Sequence, residues 1–410
     1  MKSVTGPWVI GEDFFDRENE LRILDQRVRN GNHVLLTGQR RMGKTSIARE
    51  LGRRLEADGW VFLFADVEGA SCPEDVISDI AEAVHPIRSI SSRFARTMQR
   101  WFAESFDEIG AFDFRLRVRA GLSDKNWKEH GGGLLRYCAA HANPVFLVVD
   151  EMPIFLKRLL LADGGRRKVD EFLSWLRGVL QQVSGGSLVL MVSGSIGLTP
   201  LVRRLGIPDR INYLDPFRLG PWSREATIEC LNRLADNSTL KIDSGVAEAV
   251  CERLGIGIPH QVQSFFARLT DHALLQGEDQ VSVSDVEVVY KNVLLGPAGQ
   301  NDLIHYETRL KDALGDDQDH TMAMEVLAET STKEVFTPEV QRLLGHLYLP
   351  LVDDAPDRIS EVLDILEHDG YLESREAGYL FPSRLLKDWW AARFGHHHVP
   401  IEQRGQVCDG

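Results

Sequence analysis

The residues best suited to chemistry in this sequence form a phosphate-binding pattern near its N-terminal end. Gly38-Gln39-Arg40-Arg41-Met42-Gly43-Lys44-Thr45 matches G-x-x-x-x-G-K-[ST], and Ser46 follows it. Glycines allow backbone N–H groups to approach phosphate oxygens, and a following helix N-terminus favours negative charge. Lys44 suits the outer phosphates of a nucleotide, and the Thr45 hydroxyl suits the ligand shell of Mg²⁺. The pattern therefore predicts nucleotide binding by residues 38–46; a Gly-Lys turn without a ligand is the alternative.

A pair of carboxylates ends a later apolar run. Residues 145–149 are followed directly by Asp150 and Glu151. An Asp at the end of a buried strand beside a phosphate loop holds Mg²⁺, and the next carboxylate can orient or deprotonate the attacking water. The alternative is that Asp150 caps the helix predicted from Pro153. We predict Thr45 and Asp150 as metal ligands and Glu151 as the general base.

Small polar residues end the next apolar run, over residues 187–192. They are Ser193, Gly194 and Ser195. If this strand lies between the strands that precede Lys44 and Asp150, a hydroxyl at Ser193 or Ser195 faces the outermost phosphate and reports its presence. A helix N-cap or a tight turn explains the same residues equally well.

Arg203, Arg204 and Arg210 follow that strand. A guanidinium supplied in cis or by a neighbouring subunit stabilises charge on a transferred phosphoryl group, and we expect Arg204 to take this role. A solvated surface arginine is the alternative, because most arginines are exposed. Arg40 and Arg41 of the phosphate loop are candidates to contact the nucleotide, a neighbour or an effector.

The elements that must position these residues alternate between apolar strands and amphipathic helices. Apolar runs predict strands over residues 32–37, 61–67, 145–149, 187–192 and 211–217. Helical periodicity covers residues 45–58, 73–84, 91–105, 125–141 and 170–183. Strands separated by helices form a parallel sheet covered on both faces. Residues 112–119 alternate apolar and polar side chains, which predicts an exposed edge strand or hairpin. From residue 223 to about residue 370 the pattern is helical.

The charge of the chain is concentrated in one part of it. Its 410 residues carry 47 Lys+Arg and 61 Asp+Glu, a formal net charge of −14. Residues 296–380 hold 6 Lys+Arg and 19 Asp+Glu, so the remaining chain is nearly neutral. Five scattered cysteines argue against a zinc site and for reduced thiols in the cytoplasm. No apolar run approaches the ~20 residues that cross a bilayer, and the start lacks the apolar segment of a signal peptide, so no membrane partner is expected.

Together these segments resemble the AAA+/STAND P-loop ATPases, and the Arg40-Arg41 pair resembles the prokaryotic and archaeal GxRRxGKT group, relatives of the archaeal origin-recognition ATPases. Residues 8–21 are similar to the family segment that brackets the adenine. Gly257-Ile258-Pro259 is similar to the lid motif whose proline touches the base. The resemblance therefore implies ATP and Mg²⁺ as ligands, with Ile10 and Pro259 at the adenine.

The resemblance also implies the architecture. We expect an α/β P-loop NTPase with an ASCE-type parallel sheet, followed by an α-helical lid and a C-terminal winged-helix domain. The expected bounds are 1–220 for the ATPase domain, 221–295 for the lid, 296–395 for the winged helix and 396–410 for a flexible tail, with a linker at 294–300. Many STAND proteins place an Arg just after strand four, where this chain has Ser193-Gly194-Ser195-Ile196.

The second helix of the predicted winged helix is acidic. It carries Asp357, Glu361, Asp364, Glu367 and Asp369 against Arg358. A winged helix that reads DNA offers a basic helix to the polyanion, so contact with a protein or an autoinhibitory role fits this module better. A DNA surface would instead use Arg88, Arg93, Arg96, Arg100, Arg115, Arg117 and Arg119.

We therefore expect a slow ATPase, converting ATP and water to ADP and phosphate. Its nucleotide state is expected to control homo-oligomerisation or binding of a protein partner through the lid or winged helix, and the resemblance suggests a prokaryotic defence or mobile-element system. The alternative is an ATP-dependent DNA-binding protein of the origin-recognition or transposition-helper kind. A small-molecule kinase shares the phosphate loop but gives no reason for a lid and a winged helix.

Overall fold

The computed structural model describes residues 3–6, 8–85, 111–183, 185, 187–194, 197–314 and 316–404. The chain divides into two compact units. The α/β unit comprises Trp8–Gly38 and Gly43–Leu219. The helical unit comprises the described residues from Gly220 onward, residues 3–6, and Gln39–Met42 from the middle of the phosphate loop.

The α/β unit is built on a parallel sheet whose strands follow the order β2-β3-β4-β1-β5. They are β1 (Val34–Thr37), β2 (Val61–Asp66), β3 (Val145–Asp150), β4 (Leu188–Ser193) and β5 (Asp215–Arg218). All residues of β3 and β4 are buried, as expected for central strands covered on both faces. The last strand is shorter than predicted because Pro208–Ile211 forms a 3₁₀ turn. The order places β4 between β1 and β3, as the prediction for Ser193 requires.

Helices cover this sheet. They are α1 (Glu18–Arg29), α2 (Lys44–Ala57), α3 (Pro73–Val84), α4 (Ala111–Gly121), α5 (Trp127–Ala139), α6 (Met152–Leu160), α7 (Gly165–Gln182) and α8 (Leu198–Arg204). The predicted helix over residues 91–105 lies outside the described residues. Phe172 packs against Phe155 and Trp127, with ring centroids 5.0 and 5.9 Å away. These aromatic contacts join α5, α6 and α7 in one core.

Residues 112–119 form a helix, so the predicted edge strand or hairpin is wrong. They lie in α4. Phe114 and Val118, four residues apart, are buried, whereas Leu116 between them is 52% exposed. A short apolar alternation fits a strand, but this four-residue spacing also fits one face of a helix. Packing against α3 and the core selects the helix, because it buries these two side chains together.

The helical unit follows Leu219. Its helices are α9 (Arg224–Asp236), α10 (Val246–Leu254), α11 (Pro259–Gln276), α12 (Val283–Val289), α13 (Pro297–Leu314), α14 (Asp317–Lys333), α15 (Pro338–Tyr348), α16 (Ala355–His368), α17 (Arg384–Phe394) and α18 (Ile401–Arg404). Its strands are the parallel pair β6 (Lys241–Ile242) and β7 (Gln280–Val281) and the hairpin β8 (Glu373–Arg375) and β9 (Gly378–Leu380). In the described part of the chain, no helix has the length and apolar character needed to cross a membrane.

Helices α15 and α16 and the β8–β9 hairpin form the C-terminal winged helix. Thr337 caps α15 by accepting a hydrogen bond from the N–H of Val340 at 3.3 Å, and the N–H of Phe336 donates to the carbonyl of Tyr379 at 2.8 Å. Helix α17 closes the module with Trp389 and Trp390 buried. The winged helix is therefore held by both its cap and its hairpin.

Two segments that the sequence predicts as open chain are instead packed. In the predicted linker, a π-helical turn at Tyr290–Leu294 is followed almost at once by α13 at Pro297. In the predicted flexible tail, Ile401 is buried and its N–H donates to Oε2 of Glu329 at 3.1 Å, and His398 contacts the same carboxylate. This part of the predicted tail is therefore packed, because the buried Glu329 takes its partners from it.

Candidate functional site

The phosphate loop leaves β1 and enters α2 through two glycines with left-handed backbone. Gly38 has φ +148° and Gly43 has φ +89°. A Cβ at Gly38 would lie 2.5 Å from the carbonyl oxygen of Leu219, so the strand edge leaves no room for a side chain. Gly43 is the N-cap of α2, whose first N–H groups have no partner within the helix. The loop therefore has the backbone that an oxyanion site needs.

Lys44 is held over this loop. Its side chain is buried, and its Nζ donates a hydrogen bond to the carbonyl of Gly38 at 2.8 Å. A buried ammonium requires such partners because its desolvation is costly. The charge that the sequence predicts for phosphate binding is thus fixed at the start of α2.

Asp150 is the centre of a buried hydrogen-bond cluster at the carboxyl ends of β3 and β4. Its Oδ2 accepts from Oγ1 of Thr45 at 2.7 Å, and its Oδ1 accepts from Oγ of Ser193. The N–H of Glu151 donates to the same Oδ1 at 3.1 Å. Asp150 is 4% exposed and Ser193 is fully buried. The structure therefore brings together Thr45, Asp150 and Ser193 from distant parts of the sequence.

Neither of the simple capping alternatives describes Asp150 or Ser193. The N-cap of α6 is Glu151, and that of α8 is Gly197. The hydrogen bonds of Asp150 run to the phosphate loop and to β4 as well as to the next residue. Ser195, the second hydroxyl that the sequence proposes, lies outside the described residues.

Glu151 lies at the same strand edge in a strained backbone. Its φ of +59° is left-handed, which costs a non-glycine residue about 1 kcal/mol or more. A Cβ built on Gly194 would lie 2.4 Å from Cδ of Pro153 and 3.5 Å from Oε2 of Glu151. The end of β4 therefore approaches the start of α6 closely, and it does so beside the predicted general base.

Thr45 and Asp150 fit a magnesium site. Their oxygen atoms are the hard donors that Mg²⁺ prefers, and they already lie in hydrogen-bond contact. Within the described ranges, no group of three or more His, Cys, Asp or Glu could hold a metal by itself. Mg²⁺ in nucleotide enzymes is commonly held by one or two protein ligands, with water and phosphate oxygens completing its shell, so Thr45 and Asp150 are enough to hold it.

The segment predicted to bracket the adenine lies along α2. The N–H of Val9 donates to Oγ of Ser46 at 3.1 Å, and the N–H of Gly11 donates to Oε2 of Glu50 at 3.0 Å. Burial opposes the charge of Glu50, but hydrogen bonds from Arg53, Gly11 and Arg54 outweigh it and lower the pKa of Glu50 to about 2. Ser46 and Glu50 thus position Ile10 and its neighbours. The sequence analysis missed Glu50, whose signal is a carboxylate on the buried face of α2.

Arg49 is a second residue that the sequence analysis missed. Its guanidinium lies 4.2 Å from the ring centre of Trp8 and 3.6 Å from that of Phe64. Burial lowers the pKa of Arg49, while the nearby carboxylates of Asp150 and Asp66 oppose that effect. Arg49 therefore connects the N-terminal segment to the carboxylate edge of the sheet; no local pattern marks it.

The three arginines that follow β4 lie on the surface or pair with carboxylates other than Asp150. Arg203 and Arg204 are exposed at the end of α8. Arg210 is engaged elsewhere, with its Nε 2.6 Å from Asp170 and its Nη1 2.6 Å from Asp209. The role of Arg204 stays a prediction.

The remaining residues that the sequence predicts to contact a nucleotide belong to the helical unit. Pro259 occupies the first turn of α11. Arg41 belongs to this unit and hydrogen-bonds to His260, and Gln39 is buried there. The roles of Pro259, Arg40, Arg41, Gln39 and Met42 toward a nucleotide stay predictions.

Comparisons with known proteins agree with this architecture. No family model matches the chain, and no curated protein matches it. The solved Walker-type ATPase PABY2304 of Pyrococcus abyssi is 17% identical, with a TM-score of 0.60 over 95% of this chain and 99% of that one. The ORC2 protein of Aeropyrum pernix, solved as ADPNP–ADP complexes, is 14% identical, with a TM-score of 0.54 over 97% and 95%.

The chain has the α/β fold of a P-loop NTPase. In this fold the phosphate loop, Asp150 and Ser193 lie at the carboxyl ends of parallel strands, where open α/β sheets bind their ligands. The similarity covers nearly the whole chain, so it includes the helical unit as well as the sheet.

Proposed function

We propose that this chain is an ATPase that converts ATP and water to ADP and phosphate and works as a nucleotide-dependent switch. The observation that carries the proposal is the cluster around Asp150, whose two oxygens face one hydroxyl from the phosphate loop and one from β4. Similarity to a Walker-type ATPase and to a protein solved with ADPNP and ADP supports nucleotide as the ligand. Because the cluster joins residues of β3, β4 and α2, a nucleotide-dependent change in its hydrogen bonds would alter the contacts of all three elements.

Each residue has a chemical task in this proposal. Lys44 and the N–H groups of the loop hold the outer phosphates. Mg²⁺, held by Thr45 and through water by Asp150, would neutralise charge on the phosphate oxygens. Glu151 takes a proton from the attacking water as that oxygen bonds to the outermost phosphorus and the bond to ADP breaks.

Ser193 supplies the switch in this proposal. Its hydroxyl donates to Asp150, and it is the last residue of β4. A γ-phosphate competes for the same proton donor, so its arrival or loss changes the hydrogen bonds at the end of β4. Gly194 follows directly and packs on Pro153, so this change reaches the start of α6.

The partner we favour is a second copy of the chain or another protein that binds the helical unit. On α16, Asp357, Glu361 and Asp364 are exposed, and Arg358 is engaged by Asp319 with an Nε–Oδ1 distance of 2.9 Å. This acidic face suits a basic protein surface better than a nucleic acid. The predicted compartment stays the cytoplasm, and a defence or mobile-element setting stays an expectation from the resemblance.

ATP-dependent DNA binding, the alternative that the sequence suggests, is the second candidate. Part of the basic surface suggested for it is neutralised, because Arg115 pairs with Asp79 and Arg119 pairs with Asp75, each at 2.5 Å. Arg117 remains exposed on α4. Arg88, Arg93, Arg96 and Arg100 lie outside the described residues.

The proposal is tested by measuring mass in solution and phosphate release with and without ATP and Mg²⁺. We expect the wild-type chain to release phosphate to water and the Glu151→Gln variant to bind ATP, release phosphate at least about 100-fold more slowly and accumulate in the ATP-dependent assembly. An unchanged mass in both proteins, with or without an added protein partner, would reject the switch. A phosphorylated small-molecule product would identify a kinase instead.

A duplex titration separates the second candidate. DNA binding that requires ATP and weakens steeply with salt would favour the origin-recognition kind of function. Absence of DNA binding at low salt, together with ATP-dependent assembly, would exclude the DNA-binding candidate and support the switch that acts on a protein partner.

A further inference from the structure

An open cleft of about 620 Å³ lies in the α/β unit, where the start of α7 meets the segment that follows α8. Arg166, Arg167 and Asp170 line it from α7, and residues 205–207 line it from the other segment. Its volume is within the roughly 300–1,000 Å³ of protein binding pockets. The cleft can therefore accept side chains from a partner.

The arginines at this cleft keep their positive charge. Arg166 donates a hydrogen bond from Nη2 to the carbonyl oxygen of Leu205 at 2.9 Å, which fixes the guanidinium without neutralising it. Arg167 is exposed, and among the residues that the structure describes no carboxylate pairs with either arginine. Asp170 is already bound by Arg210, with an Nε–Oδ1 distance of 2.6 Å. The cleft is therefore a positively charged surface.

The same cations oppose the electrostatics of their own helix. Arg166, Arg167 and Lys168 lie in the first turn of α7, and that turn carries no acidic residue. The positive end of a helix dipole favours anions, so consecutive cations at this position are destabilising. Places where a sequence opposes its own fold are commonly functional sites. An anionic partner would relieve the unfavourable charge, because it would face both the arginines and the first N–H groups of α7.

The helical unit carries the matching negative charge on α16. Asp357, Glu361 and Asp364 follow one another at intervals of four and three residues, so they lie on one face of this helix. All three are exposed, and none pairs with a cation in the part of the chain that the structure describes. At about 1.5 Å per residue, the three carboxylates span about 10 Å along the helix. Helix α16 therefore offers a row of anionic side chains.

We propose that the cleft at the start of α7 binds the acidic face of α16 from a second copy of this chain. The two surfaces belong to different units, so the contact is head-to-tail and leaves one cleft and one acidic face to which further copies can add. The inference names the partner surface of the proposed switch, and it rests on that proposal only for control by nucleotide. A nucleic acid suits the cleft less well, because the net charge of −14 repels a polyanion at long range.

Reversal of the charges on each surface tests this contact in the full chain. Mass in solution is measured for the Glu151→Gln chain with ATP and Mg²⁺, and over a series of concentrations without nucleotide. We expect Arg166→Glu/Arg167→Glu and Glu361→Lys/Asp364→Lys each to weaken assembly at least about 100-fold, since like charges then face each other. A chain that combines both pairs of changes again has opposite charges on the two surfaces, so it should recover the mass of the parent assembly.

Controls separate the contact from effects on folding and on net charge. Arg22→Glu/Lys125→Glu makes the same change in net charge at exposed positions that do not line the cleft, and it should assemble normally. Acidic residues suit the first turn of α7, so Arg166→Glu/Arg167→Glu should melt no lower than its parent. An equal loss of assembly in the Arg22→Glu/Lys125→Glu control would mean that net charge, rather than the cleft, carries the effect.

The outcomes that reject the contact differ from those that reject the proposed function. Normal assembly by either reversed chain, or no assembly by the combined chain, would overturn the contact and leave ATP-dependent assembly to another surface. A parent chain that stays monomeric at every concentration would also overturn it, while phosphate release by the wild-type chain would still test the ATPase. Assembly that depends on these charges but not on ATP would support the contact and reject its control by nucleotide. Duplex DNA that binds the parent but not Arg166→Glu/Arg167→Glu would assign the cleft to nucleic acid and overturn the proposal.

Discussion

Two buried polar clusters, one in each unit, differ in how their charges are matched. Around Asp150, a carboxylate meets two hydroxyls and a backbone N–H, and Lys44 nearby is bound by a carbonyl. Around His305, the strongest charged neighbours are all cationic, and the ring nitrogens have no partner among the described residues. The first cluster has protein partners on both oxygens of its carboxylate, whereas the His305 ring has none among the described residues.

The comparison shows that the partners of a buried group, rather than its burial, indicate what the site lacks. A buried carboxylate with donors on both oxygens is stable before any ligand arrives. A buried neutral imidazole presents one donor and one acceptor, and each of them costs free energy while it lacks a partner. Four substitutions test this distinction, in order of expected effect.

Lys44→Ala should have the largest effect. It removes the charge that the phosphate loop is predicted to place beside the phosphates, so ATP affinity should fall at least about 100-fold. Titration with a fluorescent ATP analogue measures it. Lys125→Ala, which removes an exposed lysine of the same unit, is the control and should bind normally. Normal affinity in Lys44→Ala would remove the P-loop from the proposed function.

Asp150→Asn should keep nucleotide binding and lose hydrolysis. The amide cannot serve as an anionic magnesium ligand, so phosphate release should fall about 100-fold or more while ATP still binds without Mg²⁺. Asp66→Asn is the matched control, because Asp66 is the partner of Asp150 in the register of β2 and β3. An equal loss in both variants would indicate that the whole strand edge, rather than Asp150, carries the effect.

Ser193→Ala removes the hydroxyl that joins β4 to Asp150. We expect phosphate release to slow about tenfold, from the loss of one hydrogen bond to a charged group. Ser174→Ala, which removes a weaker serine–aspartate contact of 3.4 Å on α7, should leave the rate unchanged. A rate equal to wild type, with a lower melting temperature, would make Ser193 a structural residue only.

Asp79→Asn should have the smallest effect, and it extends the comparison to a carboxylate with incomplete partners. Burial raises the pKa of Asp79 to about 6 although Arg115 opposes this, and Oδ2 of Asp79 has no partner among the described residues. A raised carboxyl pKa contributes stability that is present below the ordinary pKa near 4 and lost as pH rises through 6. Asp79→Asn should therefore be more stable than wild type by about 1 kcal/mol at pH 7 and equal to it at pH 4.

Asp75 on the same helix is the control with the opposite sign. Burial opposes its charge, but bonds from Ser71 and Arg119 outweigh it and lower the pKa of Asp75 to about 2. Its contribution is present above pH 4 and lost as pH falls through 2, so Asp75→Asn should destabilise the chain at pH 7. Urea unfolding at pH 4 and pH 7 measures the free energy of unfolding of both variants. If Asp79→Asn and Asp75→Asn changed it in the same direction at pH 7, the idea that hydrogen-bond partners set the two pKa values would be wrong.

Much of the α/β unit could be predicted from the sequence, because its signals are local. The phosphate loop is one continuous segment, and the apolar runs that end in Asp150 and Ser193 are long enough to identify buried strands. Helix α3 was predicted with the bounds that the structure has. Helix α4 was not predicted, because its short alternation of apolar residues fits both the two-residue period of a strand and the four-residue spacing of a helix face. Only its packing against the rest of the unit distinguishes the two.

The helical unit was less predictable in detail. The acidic helix of the winged helix and the helix from Arg384 were evident from periodicity and composition. The packed tail was not, because its order comes from Glu329, a residue far earlier in the sequence. The surroundings of His305 leave no pattern either, since the groups that act on it come from separate helices and from the middle of the phosphate loop.

The sequence by itself determined which groups are available: a phosphate loop, two strand-end carboxylates, a strand-end serine and a concentration of acid in the C-terminal part. These are properties of neighbouring residues, so one segment is enough to specify them. Only the tertiary structure decided which groups meet. The strand order sets Ser193 beside Asp150. The packing of the helical unit brings Arg41 to His260 and leaves both ring nitrogens of His305 without a partner among the residues that the structure describes. The reason is that a buried group takes its partners from whatever packs against it, and those residues are distant along the chain.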